Sequence, residues 1–128
     1  MLHAIDWLGE AGKIEQELKE LRREIHRDPE LGNQEFHTAE RIEKFLESCG
    51  IETMRVLETA VVGRLVFDRP GKAVGLRADM DALPVNEETG VSFSSCVPGK
   101  MHACGHDVHM TAALGAARDR KSTRMNSS

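Results

Sequence analysis

Three histidines, a cysteine and an aspartate lie within the eight residues His102-Ala103-Cys104-Gly105-His106-Asp107-Val108-His109, a density that packing does not explain. Thiolate and imidazole donors both suit zinc and related transition metals. The Cys104-x-His106 spacing puts both side chains on one side of an extended turn, and Gly105 allows the bend. A helix starting at His106 would carry His109 one turn along, and Asp107 could orient a histidine from outside the metal's own ligands. Competing chemistries fit less well. His102 and His106 are spaced as in a helical zinc-protease pair, but no glutamate lies between them and Gly105 weakens a helix there. A closed structural zinc site needs four ligands, and no second Cys/His pair occurs elsewhere. Cys104 and His106 are too close in sequence for the usual nucleophilic dyad. A loop with incidental histidines is the bland alternative to an open metal site.

A second locus is Asp79-Met80-Asp81-Ala82-Leu83-Pro84. It follows residues 73–78, whose near-continuous apolar run reads as a buried strand. Carboxylates at the C-terminal end of a strand stand where open α/β sheets bind ligands. In an extended chain Asp79 and Asp81 share a face, and two such charges need a cation, hydrogen bonds or a raised pKa. The alternative is a pair of solvated loop aspartates capping turns. The remaining histidines, His3, His26 and His37, read as surface or capping residues. Cys49 fits a helix's apolar face, and Cys96 lies in a loop.

These loci need elements to hold them. Ile5, Leu8, Ala11, Ile14, Leu18, Leu21 and Ile25 recur at steps of three and four, which predicts a helix over residues 4–27 ended by Asp28-Pro29. A turn at Gly32-Asn33 precedes a second helix over residues 38–49, with Gly50 as its C-terminal stop. Residues 51–57, 61–67 and 73–78 read as strands, residues 82–101 as loop, and residues 106–117 as a last helix. This order predicts an α/β fold with helices against a sheet. Residues 118–128 break the pattern. They are expected to form an unstructured tail, and they resemble the translation of a sequencing-adapter read, an artefact of assembly.

The 128 residues suffice for one domain. Apolar residues make up 40% and charged residues 30%, a globular mix with no run near the ~20 apolar residues of a membrane span. The net charge is −4, with +3 in residues 118–128 and −7 in the remainder. An acidic body disfavours nucleic acid and anionic membrane as partners. Three scattered cysteines and an N-terminus without an export signal point to a reducing, cytoplasmic setting.

Three blocks then stand in order: residues 21–32 (LRREIHRDPELG), residues 75–84 (GLRADMDALP) and residues 101–110 (MHACGHDVHM). They resemble the aminoacylase/carboxypeptidase-type metallopeptidases, in the branch of hippurate hydrolases, N-acyl-amino-acid amidohydrolases and indole-acetyl-amino-acid hydrolases. The resemblance spans residues 1–117. It implies the N-terminal part of a di-metal aminopeptidase-like catalytic domain, with an incomplete mixed sheet flanked by helices. It implies two divalent metal ions, zinc or manganese, with cobalt or nickel as substitutes. Carried over by position, Cys104 and His106 resemble metal ligands and Asp81 the catalytic aspartate. Asp79 stands where relatives outside the branch have a ligand histidine, and His102, Asp107 and His109 resemble site-shaping residues. The family's adjacent glutamate pair, its two later histidine ligands and its lid domain have no counterpart here. The implied reaction is hydrolysis of the amide bond of a small N-acyl amino acid by metal-activated water, in an enzyme that dimerises through its lid. The alternative is a non-catalytic fragment with a partial metal site. For such a fragment the last helix's apolar face (Met110, Ala113, Leu114, Ala117) is expected to lack partners.

Overall fold

The computed structural model describes residues 4–126, with side-chain positions to residue 122. His3 therefore lies outside the described residues.

Helix α1 (Trp7–Arg27) opens on Asp6, whose carboxylate accepts the Gly9 N–H at 3.0 Å. This is an N-cap that satisfies one of the donors a helix start leaves free. The helix ends where Pro29 forbids continuation, and the Asp28 N–H folds back to the Ile25 carbonyl. Its apolar stripe is used unevenly: Ile25 is fully buried, whereas Leu8 is 85% exposed.

Helix α2 (Phe36–Ser48) starts two residues before its expected position. Its own N-cap position supplies no side-chain bond. Glu30 does so from the preceding turn, where its carboxylate accepts from His37 N–H (3.1 Å), Thr38 N–H (2.7 Å) and Thr38 Oγ1 (2.7 Å). The carboxylate charge also complements the positive helix start. At the other end Gly50, at φ +75°, donates to the Glu47 carbonyl, and the Ile51 N–H reaches Leu46. This double bond is the left-handed stop that the sequence predicts.

Strands β1 (Glu52–Val56) and β2 (Ala60–Arg64) form an antiparallel hairpin, with Met54 opposite Val62. This is the sheet of the described residues. Residues 73–78, expected as a buried third strand, form no ladder, and Val74 (93%) and Leu76 (71%) are exposed. The correction has a physical reason. A strand needs a neighbour's N–H and C=O groups, and no described segment lies alongside to supply them. The α/β character holds, with a smaller sheet than expected.

Helix α3 (His106–Asn126) begins where expected and runs nine residues beyond its expected end. The segment expected to be unstructured from residue 118 is thus helical to Asn126. Arginine and lysine are good helix formers that extend an alanine-rich helix at little cost, and α1 receives the added turns. Arg118 pairs with Glu17, and the Arg120 guanidinium lies 4.6 Å from the Trp7 ring centroid. The expected orphaned face is likewise covered: Met110 and Leu114 are buried with Ile25, Ile42, Phe45, Leu46 and Ile51 in one core. Gly115 makes the approach possible, because a Cβ there would sit 2.6 Å from Leu18 Cδ1.

Candidate functional site

The site is assembled by three backbone contacts. The Ala82 N–H donates to the Glu30 carbonyl at 2.8 Å, tying the 79–84 segment to the turn between α1 and α2. Leu83 and Met101 then form an isolated antiparallel bridge, N–H to carbonyl both ways, at 2.9 and 3.0 Å. The Cys96 N–H donates to the Arg27 carbonyl at 2.8 Å, anchoring the intervening loop on the end of α1. Residues 81 and 102–106, far apart in sequence, thereby meet.

Gly105 adopts φ +91°, a left-handed conformation that favours glycine, and its carbonyl accepts the Val108 and His109 N–H groups of the first turn of α3. His106 stands at that helix start. Its Nδ1 lies 2.9 Å from the Asp81 carbonyl oxygen and 3.0 Å from Asp81 Oδ1. Both partners are acceptors, so Nδ1 carries a proton, and in the neutral ring the lone pair is therefore on Nε2. Cys104 is exposed, and His109 is exposed with its ring 6.1 Å from that of His106. Asp79 turns to Arg77, whose Nη2 is 2.8 Å away, and that hydrogen bond holds the Asp79 carboxyl below the usual range. The two aspartates therefore have separate partners.

Behind this rim lies a buried charged network. Asp107, 1% exposed, accepts from Arg22 Nε (2.8 Å) and from His26 Nδ1 (2.7 Å), both on Oδ2. His26 Nε2 lies 2.9 Å from Glu87 Oε1. Glu87 also accepts from the Ser95 N–H at 2.8 Å and from the Thr89 hydroxyl. Burial pushes the Glu87 carboxyl up, but the bonds from Thr89, Ser95 and His26 outweigh it and leave it below its ordinary value. Asp107 is likewise lowered, burial being outweighed by His26 and Arg22. His102, 4% exposed, is pushed down chiefly by burial, and neither ring nitrogen has a hydrogen-bond partner; Asp107 Oδ1 also lacks one.

The sequence placed His26 on the surface or at a cap, and the structure corrects this: it is 3% exposed at the centre of the network. It sits one position after Ile25, at the edge of the apolar stripe, so periodicity alone could not separate it from a rim residue. Arg22 and Glu87 went unnoticed as well, since no local pattern marks a contact across 85 or 61 residues. His37 is 67% exposed, as expected.

The donors fit a divalent metal in part. A thiolate at Cys104 and the free Nε2 of His106 are suitable ligands. Among the described residues no three His, Cys, Asp or Glu side chains converge as a metal cluster.

Residues 75–121 match the model of Peptidase family M20/M25/M40. The chain is 49% identical over 107 residues to thermostable carboxypeptidase 2 of Saccharolobus solfataricus, covering 82% of this chain and 27% of that protein. It is 48% identical over 98 residues to the N-acyl-L-amino acid amidohydrolase of Geobacillus stearothermophilus, covering 76% of this chain and 26% of the relative. In three dimensions it resembles Bacillus subtilis YXEP, described as a dinuclear metal-binding peptidase of the M20 family, with TM-score 0.85 and 38% identity over 88% of this chain and 32% of that one. The chain thus spans about a quarter of the length of the curated relatives it matches. No described helix is long and apolar enough to cross a membrane.

Proposed function

We propose that this chain, which matches the M20/M25/M40 family over residues 75–121 and resembles a solved M20 peptidase over 88% of its length, forms the N-terminal part of the catalytic domain of a metal-dependent amidohydrolase. Its substrate is a small N-acyl amino acid, its setting is the cytoplasm, and its whole protein dimerises through a lid domain. Residues 1–117 belong to the catalytic domain; the tail expected from residue 118 to lie outside the family is matched as far as residue 121. The observation that carries the reading is the His106–Asp81 contact at 3.0 Å, two positions along the chain from Cys104. It sets the tautomer of a histidine whose free nitrogen can bind a metal.

Cys104 and His106 would hold the ion, zinc or manganese, within a two-metal site. When bound, such a pair polarises a carbonyl and lowers the pKa of a bound water. Asp81 fixes the His106 ring by accepting from Nδ1, which raises the donor strength of Nε2. Asp79 is held away by Arg77 and shapes the rim. His102, Asp107 and His109 shape the site around the ligands.

A second reading concerns the polypeptide by itself. With two donors and no convergent third among the described residues, it is a non-catalytic, partial metal site. Cobalt titration separates the outcomes. A thiolate-to-cobalt absorption band that Cys104→Ser abolishes supports the site, and its absence from the wild-type chain refutes it. Submicromolar stoichiometric binding would refute the partial-site reading. Metal-dependent release of glycine from hippurate by a protein extended to the length of its relatives tests the activity.

A further inference from the structure

We infer that His26 is a positioning residue, a doubly protonated imidazolium clamped between Asp107 and Glu87 that fixes the start of α3 on which His106 stands. The inference rests on the proposed metal site only for its functional meaning. Its structural content stands alone.

The protonation follows from who can donate. Glu87 Oε1 already accepts from the Ser95 backbone N–H at 2.8 Å, a group that only donates. Asp107 Oδ2 already accepts from Arg22 Nε at 2.8 Å, and guanidinium only donates. The same two oxygens face His26 Nε2 (2.9 Å) and Nδ1 (2.7 Å). Neither oxygen is a donor, so both ring nitrogens must be. The result is a string of alternating charge, Arg22, Asp107, His26 and Glu87, buried except at Arg22, in which each ion has an opposite neighbour. Phe93 closes it from one side: its ring is edge-on to His26 at 5.6 Å and lies under the Arg22 and Arg23 guanidinium groups at 4.9 and 4.8 Å.

The positioning follows from where Asp107 sits. It is the second residue of α3, and its carbonyl accepts the Thr111 hydroxyl at 2.7 Å. Locking its carboxylate to α1 through Nδ1 of His26 fixes the turn that holds the Gly105 carbonyl and the His106 ring. The Nε2–Glu87 arm anchors the 82–101 loop instead, so the two ring nitrogens have separable tasks.

The test uses that separation. An asparagine amide nitrogen overlays histidine Nδ1, and a glutamine amide nitrogen overlays Nε2. In the 128-residue chain, exchange of the Val108 and His109 amides should stay within about threefold of wild type in His26→Asn. It should quicken about tenfold or more in His26→Gln, which loses the charge-assisted bond to Asp107. A role through bulk alone predicts the reverse order, since glutamine is nearer histidine in size, and that order would overturn the inference. Nitrogen-15 spectra of the wild-type ring need no variant to fold. Two protonated nitrogens at neutral pH support the imidazolium, and an unprotonated one refutes it. The metal reading fails or survives separately, on the Cys104-dependent cobalt band.

Discussion

Gly105 stands between the two proposed ligands, and replacing it with alanine tests whether that turn depends on backbone conformation. At φ +91° an L-residue carries a left-handed penalty. Space is not the obstacle: the nearest atoms to an added Cβ are Cε1 and Nε2 of His109, both at 3.7 Å, an ordinary contact. The cost of Gly105→Ala is therefore almost wholly conformational, about 1–2 kcal/mol. For a chain of this size that corresponds to a fall in Tm on the order of 4–10 °C. Thermal unfolding followed by circular dichroism would measure it. Chirality supplies the control. Ligation at Cys104 allows residues 104–128 to be made synthetically with D-alanine at position 105, for which positive φ is the natural range. That protein should equal or exceed the glycine form, gaining up to about 1 kcal/mol from a less free unfolded chain. An L-alanine protein as stable as wild type, or equal losses for the two enantiomers, would refute the argument.

Other outcomes follow from the same structure. Glu30→Ala removes three hydrogen bonds at the start of α2 and should lower stability by about 1–3 kcal/mol; denaturant unfolding measures it, and a neutral result would mean that water caps the helix equally well. Asp28 and Glu87 have folded pKa values below their unfolded ones: for Asp28, burial is outweighed by Arg41 and His37, and for Glu87, by Thr89, Ser95 and His26. Their stabilisation is thus complete above the ordinary carboxylate range of about 4 and is lost as pH falls through the lowered values. The part of Tm that these carboxylates supply should be lost only below about pH 4, where the paired variant Asp28→Asn/Glu87→Gln should flatten the drop, and His102, lowered by burial, should add a separate loss as pH falls below the ordinary imidazole range of about 6.5. The exposed apolar run Val66, Phe67, Val74 and Leu76 should make the chain aggregate. Val74→Lys with Leu76→Glu should raise the soluble fraction on centrifugation, and no change would place the aggregating surface elsewhere.

Much was legible locally. The stripe ending at Ile25, the stop at Asp28-Pro29, the left-handed Gly50 and the helix start at His106 all follow from near neighbours, since caps, turns and helical faces are decided within a few residues. The cluster at residues 102–109 was legible for the same reason: its residue types crowd into a short span. Three things were settled only by the tertiary structure. The Leu83–Met101 bridge brings Asp81 to His106 and so sets which nitrogen carries the proton. The packing of α3 on α1 draws the helix past residue 117 and buries Met110 and Leu114. Above all, His26, Arg22, Asp107 and Glu87 become one charged network through contacts that each span 61 or more residues. A side chain's worth as an acid, base or clamp depends on the dielectric and the partners around it. Those are properties of the folded neighbourhood, and the order of residues along the chain does not carry them.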